Sequence, residues 1–380
     1  MMLPTPSDAQ ARVIAQIADW WQGKSREFYL AGYAGTGKTT IAQLAVEAIE
    51  TRARRAIRVL YAAYTGKAAD VLRRKTGQPA TTLHRMLYRA VEEPETGKVR
   101  FVLNPDSPLA DADLLVIDEC SMATQRIAED ARSFGKRILV LGDPGQLPPI
   151  EGTSPFTDRT PDAFLQEIHR QAADSPILHL ATLAREGRPI PFGSYGEGVR
   201  KVRRDRGAID AVRDPDAQVL CGLHRVRWKV TAFLRAEDGF DGLWPEPGEP
   251  LIGCRNEHDK GFWNGTLCRA EGLGATGQGW REARIRTEEG DLHEMRIRVE
   301  PFLDLQAQAQ VERHLDFQRK REHSLVDFAY ALSVHKAQGS QWESVVVLDD
   351  SHAFRADARR WLYTALTRAE RGLVLVSDRA

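Results

Sequence analysis

The sequence predicts an α/β protein with two parallel-sheet domains, and three observations predict it. Short apolar runs alternate with amphipathic stretches along most of the 380 residues, the pattern of strand–helix crossovers. One crossover carries GYAGTGKTT at 32–40, which fits the phosphate-binding spacing G-x-x-x-x-G-K-[ST]. From about residue 251 to 322 the pattern changes to period-two alternation with Gly turns, which predicts a small antiparallel β-barrel inserted into the second domain.

The elements follow in order. An amphipathic helix opens the chain, with Val13, Ile14, Ile17, Trp20 and Trp21 on one face. Gln10, near its start, reads by itself as a surface residue. The apolar run 28–31 is a buried strand and 41–49 a helix, so the Gly-rich loop has the flanks its chemistry requires. Glycines let the backbone curl until several N–H groups face one anion, and the helix N-terminus adds partial positive charge. Gly32, Gly35, Thr36, Gly37, Lys38, Thr39 and Thr40 are therefore the expected phosphate-binding set. Lys38 would reach the β- and γ-phosphates, and the Thr39 hydroxyl would hold Mg²⁺.

A second strand is predicted over 57–63 and a third over 114–119, where LLVIDE ends in two carboxylates. Asp118 would hold the Mg²⁺ through water, and Glu119 would orient or deprotonate the attacking water. Between them, two short runs around Pro94–Gly97 predict an inserted β-hairpin at about 88–108. A fourth strand, 138–141, runs into GDPGQLPP, placing Gln146 where an α/β sheet binds ligand. Further buried strands are expected at 218–221, 328–334, 345–348 and 373–376. The expected domains are 1–150, then 151–250 with 323–380, with the barrel at 251–322 between the last two segments.

Composition sets limits. The chain is 42% hydrophobic and 28% charged, and Lys+Arg 53 balances Asp+Glu 53, so no global basic field advertises nucleic acid. Arginine clusters at 52–58, 73–75, 200–206 and 225–229 read as solvated faces when taken singly. The four cysteines show no metal-binding spacing. No basic-then-apolar leader and no membrane-length apolar run is evident, so a cytoplasmic, non-membrane protein is expected.

Taken together, the motifs resemble those of superfamily 1 helicases of the 5′-to-3′ branch, the RecD and Dda type. They are the loop at 32–39, YTGKAA at 64–69, TTLHR at 81–85, DECSM at 118–122, GDPGQLPP at 142–149, EIHRQ at 167–171, SVHKAQGSQW at 333–342 and YTALTRA at 363–369. The resemblance implies two RecA-like domains, ATP and Mg²⁺ as cofactors, and an ATPase that unwinds DNA. It implies that Gln10 reads adenine, that Gln146 senses the γ-phosphate, and that Arg170 and Arg368 reach it from the second domain. Gly339 would pack near the nucleotide. His169 matches an adenine-stacking position. Gln341 stands where many members carry a ribose-binding Glu, a departure that bears on nucleotide preference. Thr65, His84, Ser333, His335 and Lys336 fall in motifs that line the single-strand track, and Phe101 on the hairpin is a candidate stacking residue. The implied partners are single-stranded and forked DNA, with replication or recombination proteins as further candidates, and a monomer is expected. An RNA helicase, or a nucleotide-gated switch without unwinding, remains an alternative at this point.

Overall fold

A computed structural model describes residues 5–92, 99–119, 123–148, 154–167, 174–255, 257, 260, 262–288, 290–302 and 322–379. The chain begins with α1 (Asp8–Gln22), where Ser7 and Gln10 form a reciprocal capping box that satisfies two otherwise orphaned N–H groups. Val13, Ile17 and Trp20 of its apolar face are buried. Then come β1 (Glu27–Gly32), α2 (Lys38–Ala53), β2 (Val59–Ala63), α3 (Gly66–Thr76), β3 (Ala80–Thr82), α4 (Leu83–Leu87), β4 (Tyr88–Glu92), β5 (Val99–Leu103), β6 (Leu114–Asp118), α5 (Gln125–Ser133), β7 (Arg137–Gly142) and β8 (Ala163–Leu165). A six-stranded sheet forms in the order β3-β2-β6-β7-β1-β8, and every pairing is parallel. Its central strands are β-branched or Leu-rich and buried on both faces, as a parallel sheet covered by helices requires. Parallel pairing also brings the carboxyl ends of β1, β6 and β7 to one edge. The phosphate loop, the Asp118-Glu119 pair and Gln146 follow those ends.

The second half contains α6 (Pro176–Glu186), β9 (Gly193–Gly196), β10 (Val199–Val202), α7 (Arg206–Val212), β11 (Ala217–Cys221), α8 (His224–Glu237), β12 (Pro250–Gly253), β13 (Leu267–Gly277), β14 (Trp280–Thr287), β15 (Leu292–Arg298), β16 (Val326–Phe328), β17 (Ala331–Ser333), β18 (Trp342–Leu348), α9 (Ala358–Leu366) and β19 (Ala369–Val376). A second six-stranded sheet has the order β17-β11-β18-β19-β10-β9, parallel except for β9 against β10. A five-stranded antiparallel sheet, β15-β14-β13-β12-β16, is inserted between β11 and β17. A bridge between Ile297 and Ser324 links β15 to the chain just before β16, the two ends of that strand order. A buried pair ties this sheet to α8. Arg235 holds Glu249 through Nε–Oε1 at 2.6 Å, and Tyr330 donates to the same oxygen at 3.0 Å. A charge buried this deeply is tolerated only when its partner and hydrogen bonds are all in place.

Three boundaries differ from the sequence expectation. The first sheet does not close near residue 150, because β8 pairs with β1. The expected strand 328–334 is two strands. β16 joins the small sheet and β17 the second parallel sheet, separated by Ala329 and Tyr330. One apolar run serves two cores here, which periodicity cannot reveal. The small sheet consequently runs from Pro250 to Phe328 rather than ending at 322. Strands β3, β8, β9 and β10 go beyond the sequence expectation; β9 is Gly-rich and β10 reads VRKV, so neither carries an apolar run, and β8 is three residues long. The hairpin strands β4 and β5 pair antiparallel at the expected place, and the expected turn at 94–97 lies outside the described residues. Among the described residues, no helix is long and apolar enough to cross a membrane.

Candidate active site between the two parallel sheets

Residues of six of the sequence motifs meet in one cleft of about 300 Å³. Gly35, Gly37, Lys38, Thr39 and Thr40 line one side, with Asp118, Glu119, Asp143 and Gln146 beside them. Gly339, Gln341, Thr367 and Arg368 come from the second sheet. Gly37 precedes α2 at φ 81°, a left-handed conformation that glycine adopts without strain and that turns the loop into the helix. The Thr39 hydroxyl donates to Asp118 Oδ2 at 3.0 Å. Burial first, and then the neighbouring charge of Glu119, pushes the Asp118 carboxyl up, while Lys38 and Thr39 pull it back. A divalent cation would relieve that cost. The donors are a hydroxyl and a carboxylate, both hard oxygens suited to Mg²⁺, which keeps most of its water and shares phosphate oxygens. No group of three or more His, Cys, Asp or Glu forms a ready-made cage among the described residues.

Lys38 donates to the Gly32 and Tyr33 carbonyls at 2.7 and 3.2 Å, folded back over its own loop. Gln146 Nε2 donates to Glu119 Oε1 at 3.3 Å, and the Gln146 carbonyl oxygen is buried without a partner. The two residues thus frame a position where a water could be held. Glu119 itself has φ 50°, one of three non-glycine residues in that region among those described. Such strain concentrates at functional sites.

Arg368 is buried and fixed by its own domain. Nε donates to the Thr364 carbonyl at 3.0 Å and Nη1 to the Ser340 carbonyl at 3.2 Å. Gln341 reaches across the cleft, where its Oε1 accepts from Lys75 at 3.1 Å. Three expected members lie behind the cleft wall. Gly32 ends β1, and the Thr36 hydroxyl donates to the Tyr33 carbonyl. Gln10 is buried, not the surface residue it first suggests. Its Nε2 donates to the Thr36 carbonyl at 3.1 Å, so it braces the phosphate loop. His169 and Arg170 lie outside the described residues.

Sequence reasoning missed Asp143, Lys75, Thr367 and Tyr363. Tyr363 donates to Asp143 Oδ2 at 2.7 Å and accepts the Ala34 N–H at 2.7 Å. Burial raises the Asp143 carboxyl, against the pull of Lys38 and Tyr363. The available signal was position: Asp143 follows a core strand directly, and Tyr363 lies five residues before Arg368.

A family model described as an AAA domain matches residues 5–214, more than half of the chain, and one described as a UvrD-like helicase C-terminal domain matches 328–376. The chain belongs to the superfamily 1 helicases of the RecD type. It is 29% identical over 390 residues to the ATP-dependent RecD2 DNA helicase of Deinococcus radiodurans, covering 96% of this chain and 48% of that one. It is 28% identical to a probable conjugal transfer protein TraA of Sinorhizobium fredii, covering 95% and 31%. The RecBCD subunit RecD of Mycobacterium tuberculosis is 26% identical, with 100% and 70% covered. The chain thus spans about half or less of the first two relatives. Among solved structures, a Bacteroides Pif1 bound to ssDNA has a TM-score of 0.59 at 17% identity, covering 100% of this chain and 93% of that one. At that identity the likeness establishes the fold, which is RecA-like.

Of the residues expected to meet the single strand, His84 and Phe101 are brought together. Their ring centroids lie 4.9 Å apart, with Tyr88 4.6 Å from His84. They line a groove of about 740 Å³ with Thr124 and Arg126. Thr65 caps α3 by accepting the Ala68 N–H at 3.2 Å. The Ser333 hydroxyl accepts the Lys336 N–H at 3.3 Å. Lys336 is turned toward Cys254 Sγ at 3.1 Å and Asp327 at 3.8 Å. His335 packs 5.6 Å from Phe354, and burial lowers its pKa against the opposing charge of Asp357. The small sheet touches the first domain here. Lys67 pairs with Glu288, and Arg85 lies 5.9 Å over the Trp263 ring.

Proposed function

We propose that the chain is an ATP-driven motor that moves 5′ to 3′ on single-stranded DNA and opens duplex ahead of it. The observation that carries this reading is the convergence of Lys38, Thr39, Asp118, Glu119 and Gln146 with Arg368 of the second sheet on one cleft. Lys38 leaves its loop carbonyls for the β- and γ-phosphates. Thr39 and Asp118 would hold Mg²⁺, which would supply neutralising positive charge to the phosphates. Glu119, steadied by Gln146, takes the proton of the attacking water, work worth about 10²–10⁴ in rate. Arg368, with Arg170 proposed beside it, neutralises transition-state charge, worth roughly 10³–10⁵. Gln10 supports the loop from behind and would meet the base only by giving up a bond it now makes. Gln341 would meet the sugar.

Hydrolysis then opens and closes the seam. Thr65, Ser333, His335 and Lys336 would grip the strand through its backbone, a mode that carries no sequence information. The β4–β5 hairpin would act as the separating pin, with His84 and Phe101 offering stacking surface at about 1–3 kcal/mol per base. A single chain holds groups from both sheets, which supports a monomeric motor.

The test is ATP turnover with and without single-stranded DNA, and with RNA of equal length, followed by unwinding of forks. DNA-stimulated turnover and opening of 5′-tailed forks are expected. Stronger stimulation by RNA, or opening of 3′-tailed forks alone, would contradict the reading.

A further inference from the structure

Two residues of α9, Tyr363 and Thr364, make polar contacts across the seam between the sheets. Leu147, from the first domain, is buried in the hydrophobic cluster of the second, against Trp361 and Tyr363. Its N–H donates to the Thr364 hydroxyl at 2.9 Å, and its carbonyl accepts from Gln338 Nε2 at 3.0 Å. Tyr33 of the phosphate loop receives the Arg185 guanidinium 3.5 Å over its ring, and its ring centroid lies 6.4 Å from that of Tyr363. At the centre, the Tyr363 hydroxyl joins two elements of the first domain: the Ala34 N–H in the phosphate loop and Asp143 after β7.

Tyr363 and Arg368 are tied through one turn of backbone. The Thr367 N–H donates to the Tyr363 carbonyl at 3.1 Å, and Arg368 Nε donates to the Thr364 carbonyl at 3.0 Å. These bonds give a short route from the phenol to the guanidinium.

We propose that Tyr363 is a positioning residue that couples the phosphate loop to Arg368. The inference rests on the ATPase reading above and names the group that regulates its site. Phosphate binding reshapes the loop that holds Ala34. The Tyr363 hydroxyl reports that change to α9, and α9 sets how closely Arg368 approaches the γ-phosphate. The phenol touches no reacting atom.

The experiment compares Tyr363→Phe, Arg368→Ala and the double variant, each with a thermal melt, a nucleotide Kd and a single-turnover hydrolysis rate. Phenylalanine keeps the ring packing and loses only the hydroxyl. Hydrolysis is expected to fall between about tenfold and a hundredfold, the scale of an ångström-level misplacement. Nucleotide Kd should stay within about threefold, because the loss belongs to the transition state alone. The double variant should be no slower than Arg368→Ala, since Tyr363 acts only through that arginine. If Tyr363→Phe melts early, the rate and Kd are measured below the onset of its melt, where the same split should appear. Multiplicative losses in the double variant, or a Tyr363→Phe rate within twofold of the parent, would overturn the proposal. A parent without turnover would instead sink the ATPase reading itself.

Discussion

Gly339 shows how narrowly single positions set the seam. It has φ 79°, and a Cβ there would lie 2.8 Å from Thr65 Oγ1 and 2.9 Å from the Ala68 Cβ. An L-side chain would be strained and would also press the second domain off α3. Gly339→Ala should cost about 1–3 kcal/mol in denaturant unfolding and slow ATP turnover. A variant with the parent's stability and turnover would show that the seam is looser than described. Gln10 makes the complementary point. Its role could not be read from composition, because a glutamine at a helix start is ordinarily exposed. What buries it is the loop 26 residues away, whose Thr36 carbonyl it holds.

At the scale of elements, the hairpin carries the clearest expectation. β4 and β5 form a two-stranded sheet of their own, and Val91, Val102 and Leu103 remain exposed on them. Replacing 91–102 by a short Gly-Ser linker should leave DNA-stimulated ATP turnover in place and abolish opening of a 5′-tailed fork. Unwinding at the parent rate would reassign the hairpin to covering the sheet edge. Most strands were legible before the structure because parallel strands buried on both faces are nearly continuous apolar runs: β1, β6, β7, β11, β18 and β19 all read that way. Those that were not legible lack such a run or, like β8 with its three residues AFL, are too short to show one. β3 is three half-buried residues, β9 is Gly-rich, and β10 carries Arg200 and Lys201. The split of 328–334 was invisible for another reason: both halves are apolar, and only pairing partners distinguish them.

At the scale of the molecule, the phosphate half of the site was legible from spacing, since the loop chemistry fixes residue types at fixed intervals. The seam was not, because Tyr363 and Asp143 meet across 220 residues of chain. The basic clusters illustrate the same limit. Arg52, Arg55 and Arg58 are engaged by Asp19, Asp113 and Asp111, a solvated face with its own counter-ions. The central claim is that hydrolysis requires groups from both sheets at once. The most direct measurement is single-turnover ATP hydrolysis by Arg368→Ala beside its nucleotide Kd. The account predicts a rate loss of at least about 10³ with affinity nearly unchanged, the signature of a group acting only in the transition state. Weakened binding with a parent-like hydrolysis rate would contradict it.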